Sequence, residues 1–185
     1  MGLCEHTYKS KFKRTSGGAK GRRKNKIQYK KGDKMKKIAS FSVDHDKIVP
    51  GMYISRIDGD ITSFDLRTRT PNAGSYMDDR TMHSVEHMLA TFLRNGEIGE
   101  SVIYFGPMGC RTGFYLLTRD LDPDTVKAGL ISALEKTLAH EGDVFGASRR
   151  ECGNYLDLDL NDAKKECTAY LAVLKDHKGD YSYAE

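Results

Sequence analysis

The sequence predicts an α+β fold, a mainly antiparallel sheet with helices packed on one face, and three observations predict it. Strand-like alternation is grouped early in the foldable part of the chain, turn residues separate those stretches, and helical periodicity is interspersed later. Apolar and polar residues alternate through Ile38–Val43, Met52–Ile57 and Ile61–Leu66, the pattern of half-buried strands. The breakers Pro50-Gly51, Asp58-Gly59-Asp60 and Pro71-Asn72-Ala73-Gly74 favour hairpins over helical crossovers. A first helix follows, with Asp78 or Asp79 as its cap, Met82, Val85, Leu89, Phe92 and Leu93 as its apolar stripe, and Asn95-Gly96 as its stop. Ser101–Phe105 and Phe114–Leu117 read as two further strands, the first broken by Gly106-Pro107-Met108-Gly109. Asp122 caps a second helix and Pro123 takes its first position. Val126, Leu130, Leu134 and Leu138 then repeat every four residues toward Gly142. A third helix is expected from Asn161 to about Lys175, burying Ala163, Cys167, Tyr170, Leu171 and Leu174.

A chain of 185 residues has room for one domain, or one domain with an arm, which excludes a large multidomain machine. No apolar run approaches the ~18 residues needed to cross a bilayer, so no membrane association is expected. Cys4, Cys110, Cys152 and Cys167 are too widely spaced for a disulfide framework, and no secretory leader precedes them. The expected location is therefore cytoplasmic, with the thiols free for chemistry. The net charge of +4 conceals two opposite parts: residues 1–37 carry a balance of +12 and the remainder −8. Residues 1–37 read as a basic arm and 38–185 as the folded domain. Only Leu3, Phe12 and Ile27 could anchor residues 1–34, so disorder is expected there. The favoured origin of the arm is a start upstream of a natural Met35, and contact with nucleic acid or another anionic surface ranks below it. The pI of 8.8 thus describes the arm and is no signature of a nucleic-acid-binding domain.

The strongest local signal is His83-Ser84-Val85-Glu86-His87 on the first predicted helix. At 3.6 residues per turn, His83 and His87 share a face one turn apart, where both imidazoles can bind one divalent metal with Glu86 beside them. Two imidazoles leave a catalytic metal short of a third protein ligand, and Cys152, at a Gly junction in Glu151-Cys152-Gly153-Asn154-Tyr155, is a candidate. Cys110 lies in the Gly-flanked run Gly109-Cys110-Arg111-Thr112-Gly113, where the adjacent guanidinium can favour a thiolate base or nucleophile. Three chemistries fit these residues: an inverted-zincin-type metallopeptidase, a metal-dependent isomerase or lyase, and a noncatalytic metal- or nucleic-acid-binding module. The peptidase gives no role to Cys110 and ranks second to the lyase.

Colinear blocks then narrow the choice. Ser40-Phe41-Ser42-Val43-Asp44-His45, Phe64-Asp65-Leu66-Arg67, Thr70-Pro71-Asn72, His83 to His87, Leu93-Arg94-Asn95, Gly106 to Tyr115 and Cys152-Gly153-Asn154-Tyr155 appear in the order found in one family. Across about residues 38–175 the chain resembles the S-ribosylhomocysteine lyase (LuxS) family, which makes the precursor of autoinducer-2. The resemblance implies one divalent metal per subunit on His83, His87 and Cys152, Fe(II) in the native family and often Zn or Co in isolated proteins, with no organic cofactor. It implies cleavage of S-ribosylhomocysteine to homocysteine and 4,5-dihydroxy-2,3-pentanedione by carbonyl migration and β-elimination. Cys110 and Glu86 take the positions of the proton-transfer residues. Ser40, His45 and Arg67 match ribose-contacting positions, and Arg94 and Tyr115 match those near the homocysteine portion. A homodimer with interface active sites is also implied, the N-terminal strand region of one chain completing its partner's pocket. Two positions depart from the pattern: many members have Asp at Tyr104, and some have Lys at Ser63.

Overall fold

The computed structural model describes residues 36–184, and the expectation of disorder over residues 1–34 lies outside them. Alternation becomes register in a four-stranded sheet. Strands β1 (Gly51–Asp58) and β2 (Ile61–Arg67) form an antiparallel hairpin turned at Gly59, whose φ of +62° suits a residue without Cβ. Strands β3 (Val102–Pro107) and β4 (Gly113–Arg119) form a second hairpin, and β4 pairs antiparallel with β2, giving the order β1-β2-β4-β3. Between the hairpins runs helix α1 (Asp79–Arg94). Helices α2 (Pro123–Ala139) and α3 (Leu160–Asp176) complete the α+β fold.

Period-two alternation divides the sheet into two chemistries. Met52, Phe64, Leu66, Phe105, Phe114 and Leu116 turn to one face, none more than 2% exposed, and pack in one core with Val85 and Leu89 of α1, Leu130 and Leu134 of α2, and Ala163 and Leu174 of α3. The intervening residues occupy the face without helices. There Tyr53, Asp65 and Tyr115 stand opposite one another across β1, β2 and β4.

Each helix starts where a carboxylate satisfies its unpaired N–H groups. Asp78, rather than Asp79, caps α1 by accepting from the Thr81 N–H at 2.7 Å; Asp122 caps α2 through Thr125; Asp159 accepts from both Asn161 and Asp162 at the start of α3. The second helix ends at Ala139, short of Gly142.

One expected strand is absent. Ile38–Val43 holds a short 3₁₀ turn, Ala39–Phe41, instead of extended backbone. Ile38 is 54% and Phe41 66% exposed, so within one chain the alternation finds no surface to bury against. The outer edge of β1, which such a strand could have joined, is instead met by the end of the chain, where the Ile54 N–H donates to the Tyr181 carbonyl at 2.7 Å. Among the described residues no helix is long and apolar enough to cross a membrane.

Candidate functional site

The helical spacing of α1 does what the motif requires. His83 and His87 project side by side with ring centroids 4.7 Å apart, and the Cys152 Sγ lies 3.3 Å from His83 Nε2. One donor atom from each of His83, His87 and Cys152 falls within 4.8 Å of the others. Bond lengths of ~2.0–2.3 Å to a tetrahedral cation put its N and S ligands about 3.3–3.6 Å apart, so this donor set fits one divalent ion after small side-chain adjustments.

Neighbouring backbone orients the ligands. His87 Nδ1 lies 2.8 Å from the Phe145 carbonyl, the arrangement in which Nδ1–H donates and leaves Nε2 its lone pair. The Asn154 N–H donates to the Cys152 sulfur at 3.4 Å, and the Cys152 N–H to the Ser148 carbonyl at 3.0 Å. Gly146 lets the Phe145 loop approach: its φ is +70°, and a Cβ there would stand 3.2 Å from His87 Nδ1. Glu86 lines an open hollow of about 440 Å³ with His87, Arg94, Tyr104 and Glu151. Both Arg94, which matches a homocysteine position, and Tyr104, one of the two departures, therefore sit on the metal-ligand side. The other departure, Ser63, lies on β2 opposite Leu117.

A second set occupies the helix-free face of the sheet. Asp65 and Arg67, two apart on β2, point the same way. Arg67 Nη2 donates to Asp65 Oδ2 at 2.8 Å, and Nε lies 2.8 Å from Oδ1. The remaining nitrogen, Nη1, donates to Thr112 Oγ1 at 2.6 Å and stands 3.6 Å from the Cys110 sulfur. With its oxygen accepting from Arg67, the Thr112 hydroxyl is free to donate to Cys110 Sγ, 3.1 Å away. Burial alone would raise this thiol. The Thr112 hydrogen bonds and the Arg67 charge outweigh it and hold Cys110 below the ordinary thiol range. The guanidinium beside the thiol is therefore Arg67 from a distant strand, whereas the sequence pointed to the adjacent Arg111. Gly113 makes this approach feasible, since a Cβ there would fall 2.2 Å from the Leu66 carbonyl oxygen.

Ser40, His45, Arg67 and Tyr115 line one small cavity with Asp65 and Tyr183. Its volume of about 20 Å³ is room for a water molecule and not for a sugar, so a substrate would meet these residues at the rim. Tyr115 lines the same cavity as the three residues matched to ribose contacts, and Arg94 lines the hollow beside Glu86. Among the described residues, no hydrogen bond or ion pair joins the Cys110 set to the His83, His87 and Cys152 set.

Several contributors escaped the sequence reading. Asp65 could have been found from its i, i+2 spacing to Arg67, and Thr112 from its place two residues after Cys110. Phe145 acts through its carbonyl and Tyr183 through the end of the chain, and neither carries a spacing signal. Cys167 shows the opposite environment to Cys110: it is 1% exposed, and burial, with Glu166 beside it, pushes its thiol up to about 12.

Residues 38–180 match the family model described as S-ribosylhomocysteinase (LuxS). The chain is similar to the S-ribosylhomocysteine lyase of Clostridium beijerinckii, 45% identical over 149 residues that cover 74% of this chain and 90% of that protein. It is 43% identical to that of Borrelia garinii subsp. bavariensis (78% and 96% covered) and 44% identical to that of Clostridium acetobutylicum (80% and 99% covered). With most of its described length matched in this way, the chain belongs to the S-ribosylhomocysteinase (LuxS) family.

Proposed function

We propose that this chain is an S-ribosylhomocysteine lyase. It cleaves its substrate to homocysteine and 4,5-dihydroxy-2,3-pentanedione, the autoinducer-2 precursor used in quorum sensing, within the activated methyl cycle. The observation that carries the reading is the convergence of His83, His87 and Cys152 within 4.8 Å in a member of this family. Neither the site nor the relatives support the inverted-zincin peptidase.

His83, His87 and Cys152 would hold one divalent ion, Fe(II) in this proposal, which when bound supplies Lewis-acid polarisation of a sugar carbonyl and so acidifies the adjacent C–H. Cys110, kept toward its thiolate by Thr112 and Arg67, takes the proton from one sugar carbon and returns it to the next. Repeating that exchange moves the carbonyl from C1 to C2 and on to C3. Loss of the C4 proton then expels homocysteine thiolate from C5. The sequence is redox-neutral and needs no organic cofactor. Glu86 moves protons to and from the substrate oxygens and assists the elimination. Arg94 offers paired donors to the carboxylate of the amino-acid end, with Tyr115 on the homocysteine portion, while Ser40, His45 and Arg67 meet the ribose.

The two residue sets would work together in a homodimer, the Cys110 set of one copy facing the metal ligands of the other. Supporting this are the exposed Ile38, Phe41, Val49 and Ile57 around the segment that carries Ser40 and His45. A reduced thiolate base and Fe(II) suit the cytoplasm. The test is release of free thiol when the purified, metal-loaded full chain meets S-ribosylhomocysteine. Release is expected, and Cys110→Ala should abolish it. No release from the unaltered chain would overturn the reading.

A further inference from the structure

The last residues of the chain reach the thiol side of the site, beyond the end of the family match at residue 180. They are fastened there by polar contacts. Lys127 Nζ donates to the His177 carbonyl at 2.5 Å, the Tyr181 hydroxyl donates to Asp124 at 2.6 Å, and the Tyr181 carbonyl accepts from the edge of β1. This fastening lays the Tyr183 ring flat on Tyr53, centroids 5.0 Å apart and 12° from parallel, and delivers its hydroxyl to Asp65 Oδ2 at 2.8 Å.

Asp65 is 2% exposed, so each donor to its carboxylate matters. Of the phenols near it, Tyr170 gives its hydroxyl to the Gly51 carbonyl, Tyr53 gives its own to Val49, and Tyr115 faces Asp65 across β2 and β4; among the described residues the phenol that donates to Asp65 is Tyr183. Oδ2 also accepts from Arg67 Nη2, and the opposite nitrogen of that guanidinium faces Cys110. A continuous path thus runs from Tyr183 through Asp65 and Arg67 to the thiol.

We propose that Tyr183 is a positioning residue of the lyase, its hydroxyl fixing Asp65 so that Arg67 stays directed at Cys110. The proposal rests on the lyase reading for its effect on turnover, but its effect on the thiol does not. Facing Cys110 are Arg67 of β2, which is hydrogen-bonded to Asp65, Thr112 of its own loop and Tyr115 of β4; Thr112 and Arg67 are the ones that lower the thiol.

The test is Tyr183→Phe in the full chain, which keeps the ring on Tyr53 and removes only the hydroxyl. Cys110 alkylation by iodoacetamide is followed against pH by mass analysis of its peptide. The expected result is an apparent thiol pKa raised by about half a unit, hence an about threefold slower reaction near neutrality that recovers in alkali. Thiol release from S-ribosylhomocysteine should slow by a similar factor, with KM little changed. Deleting residues 182–185 should produce at least the same shift. A Cys110 profile unchanged in both variants would overturn the proposal. A shifted profile in a protein that never cleaves the substrate would uphold the positioning role and overturn the lyase reading alone.

Discussion

Replacing Arg67 by Met separates what its charge does for the fold from what it does for Cys110. The Arg67 and Asp65 side chains are 4% and 3% exposed, and two contacts of 2.8 Å join them. Arg67→Met leaves the carboxylate buried with the Tyr183 hydroxyl as its remaining donor, an arrangement that costs about 3–5 kcal/mol. At about 2–4 °C per kcal/mol for a chain of this size, the melting temperature should fall by about 6–20 °C. The pair is buried, so added salt should change the loss little. Combining Asp65→Leu with Arg67→Met removes both charges and should recover most of the stability, less about 1 kcal/mol for the Tyr183 hydroxyl left without its acceptor. The thiol should not recover, because neither variant places a cation 3.6 Å from Cys110. Thermal melts followed by circular dichroism, paired with pH-dependent alkylation of Cys110, read the two effects independently. A single variant that melts within 2 °C of the parent, by the same scale about 1 kcal/mol or less, would refute the stability estimate. An unchanged alkylation profile would refute the role of Arg67 in activating the thiol.

Three further outcomes follow from the geometry. Chelation should lower the melting temperature of the metal-loaded chain, because a ligand at a hundred times its Kd stabilises by about 2.7 kcal/mol. Readdition should restore it, and Cys152→Ser should show neither response; a parent chain indifferent to metal would refute the ligand set. Gly146→Ala places a Cβ 3.2 Å from His87 Nδ1 at a φ of +70°. That strain of about 1–2 kcal/mol should loosen His87 and weaken metal affinity about tenfold or more, as read by competition with a chromophoric chelator; equal affinity would refute this role of the loop. Cys110→Ser tests the depressed thiol through stability. A thiol lower in the folded than in the unfolded chain binds fewer protons when folded, so its stabilisation grows as pH rises through the folded value and is complete above the unfolded one. Denaturant melts should therefore show the parent gaining on the variant as pH rises toward and through the ordinary thiol range, and a constant difference would count against the shift.

How much of this was legible depended on whether a side chain's partner lay within reach of a sequence period. His83, Glu86 and His87 were readable because one helical turn fixes their relation. The caps of α1 and α2 were readable because Asp followed by a periodic apolar stripe has a local physical cause. Cys152 was reachable only as the ligand a metal would lack, since 69 residues separate it from His83. The cation beside Cys110 was misassigned for the same reason. Arg111 is next in sequence, but its backbone sits at φ +61° in the loop, while Arg67 arrives through the pairing of β2 with β4. Alternation through Ile38–Val43 failed as a strand signal because that pattern reports burial against something, and a single chain offers that segment too little to cover Ile38 and Phe41.

The sheet itself explains why stability and chemistry should separate under mutation. Along β2, Phe64 and Leu66 turn inward and are at most 1% exposed, while Asp65 and Arg67 between them turn to the other face and are almost as thoroughly buried. Burial of the first pair removes apolar surface from water, and truncation to Ala should cost about 2–5 kcal/mol through the cavity left behind. Burial of the second pair gains little net stability, because desolvation offsets the attraction between the charges. The polar pair instead supplies a fixed direction: Asp65 accepts from Arg67 Nη2 and Thr112 accepts from Nη1, which holds the guanidinium toward the sulfur it faces. Exposed Cys110 is therefore the activated thiol and buried Cys167 the inert one: burial raises Cys167, whereas Thr112 and Arg67 outweigh the partial burial of Cys110 and lower it.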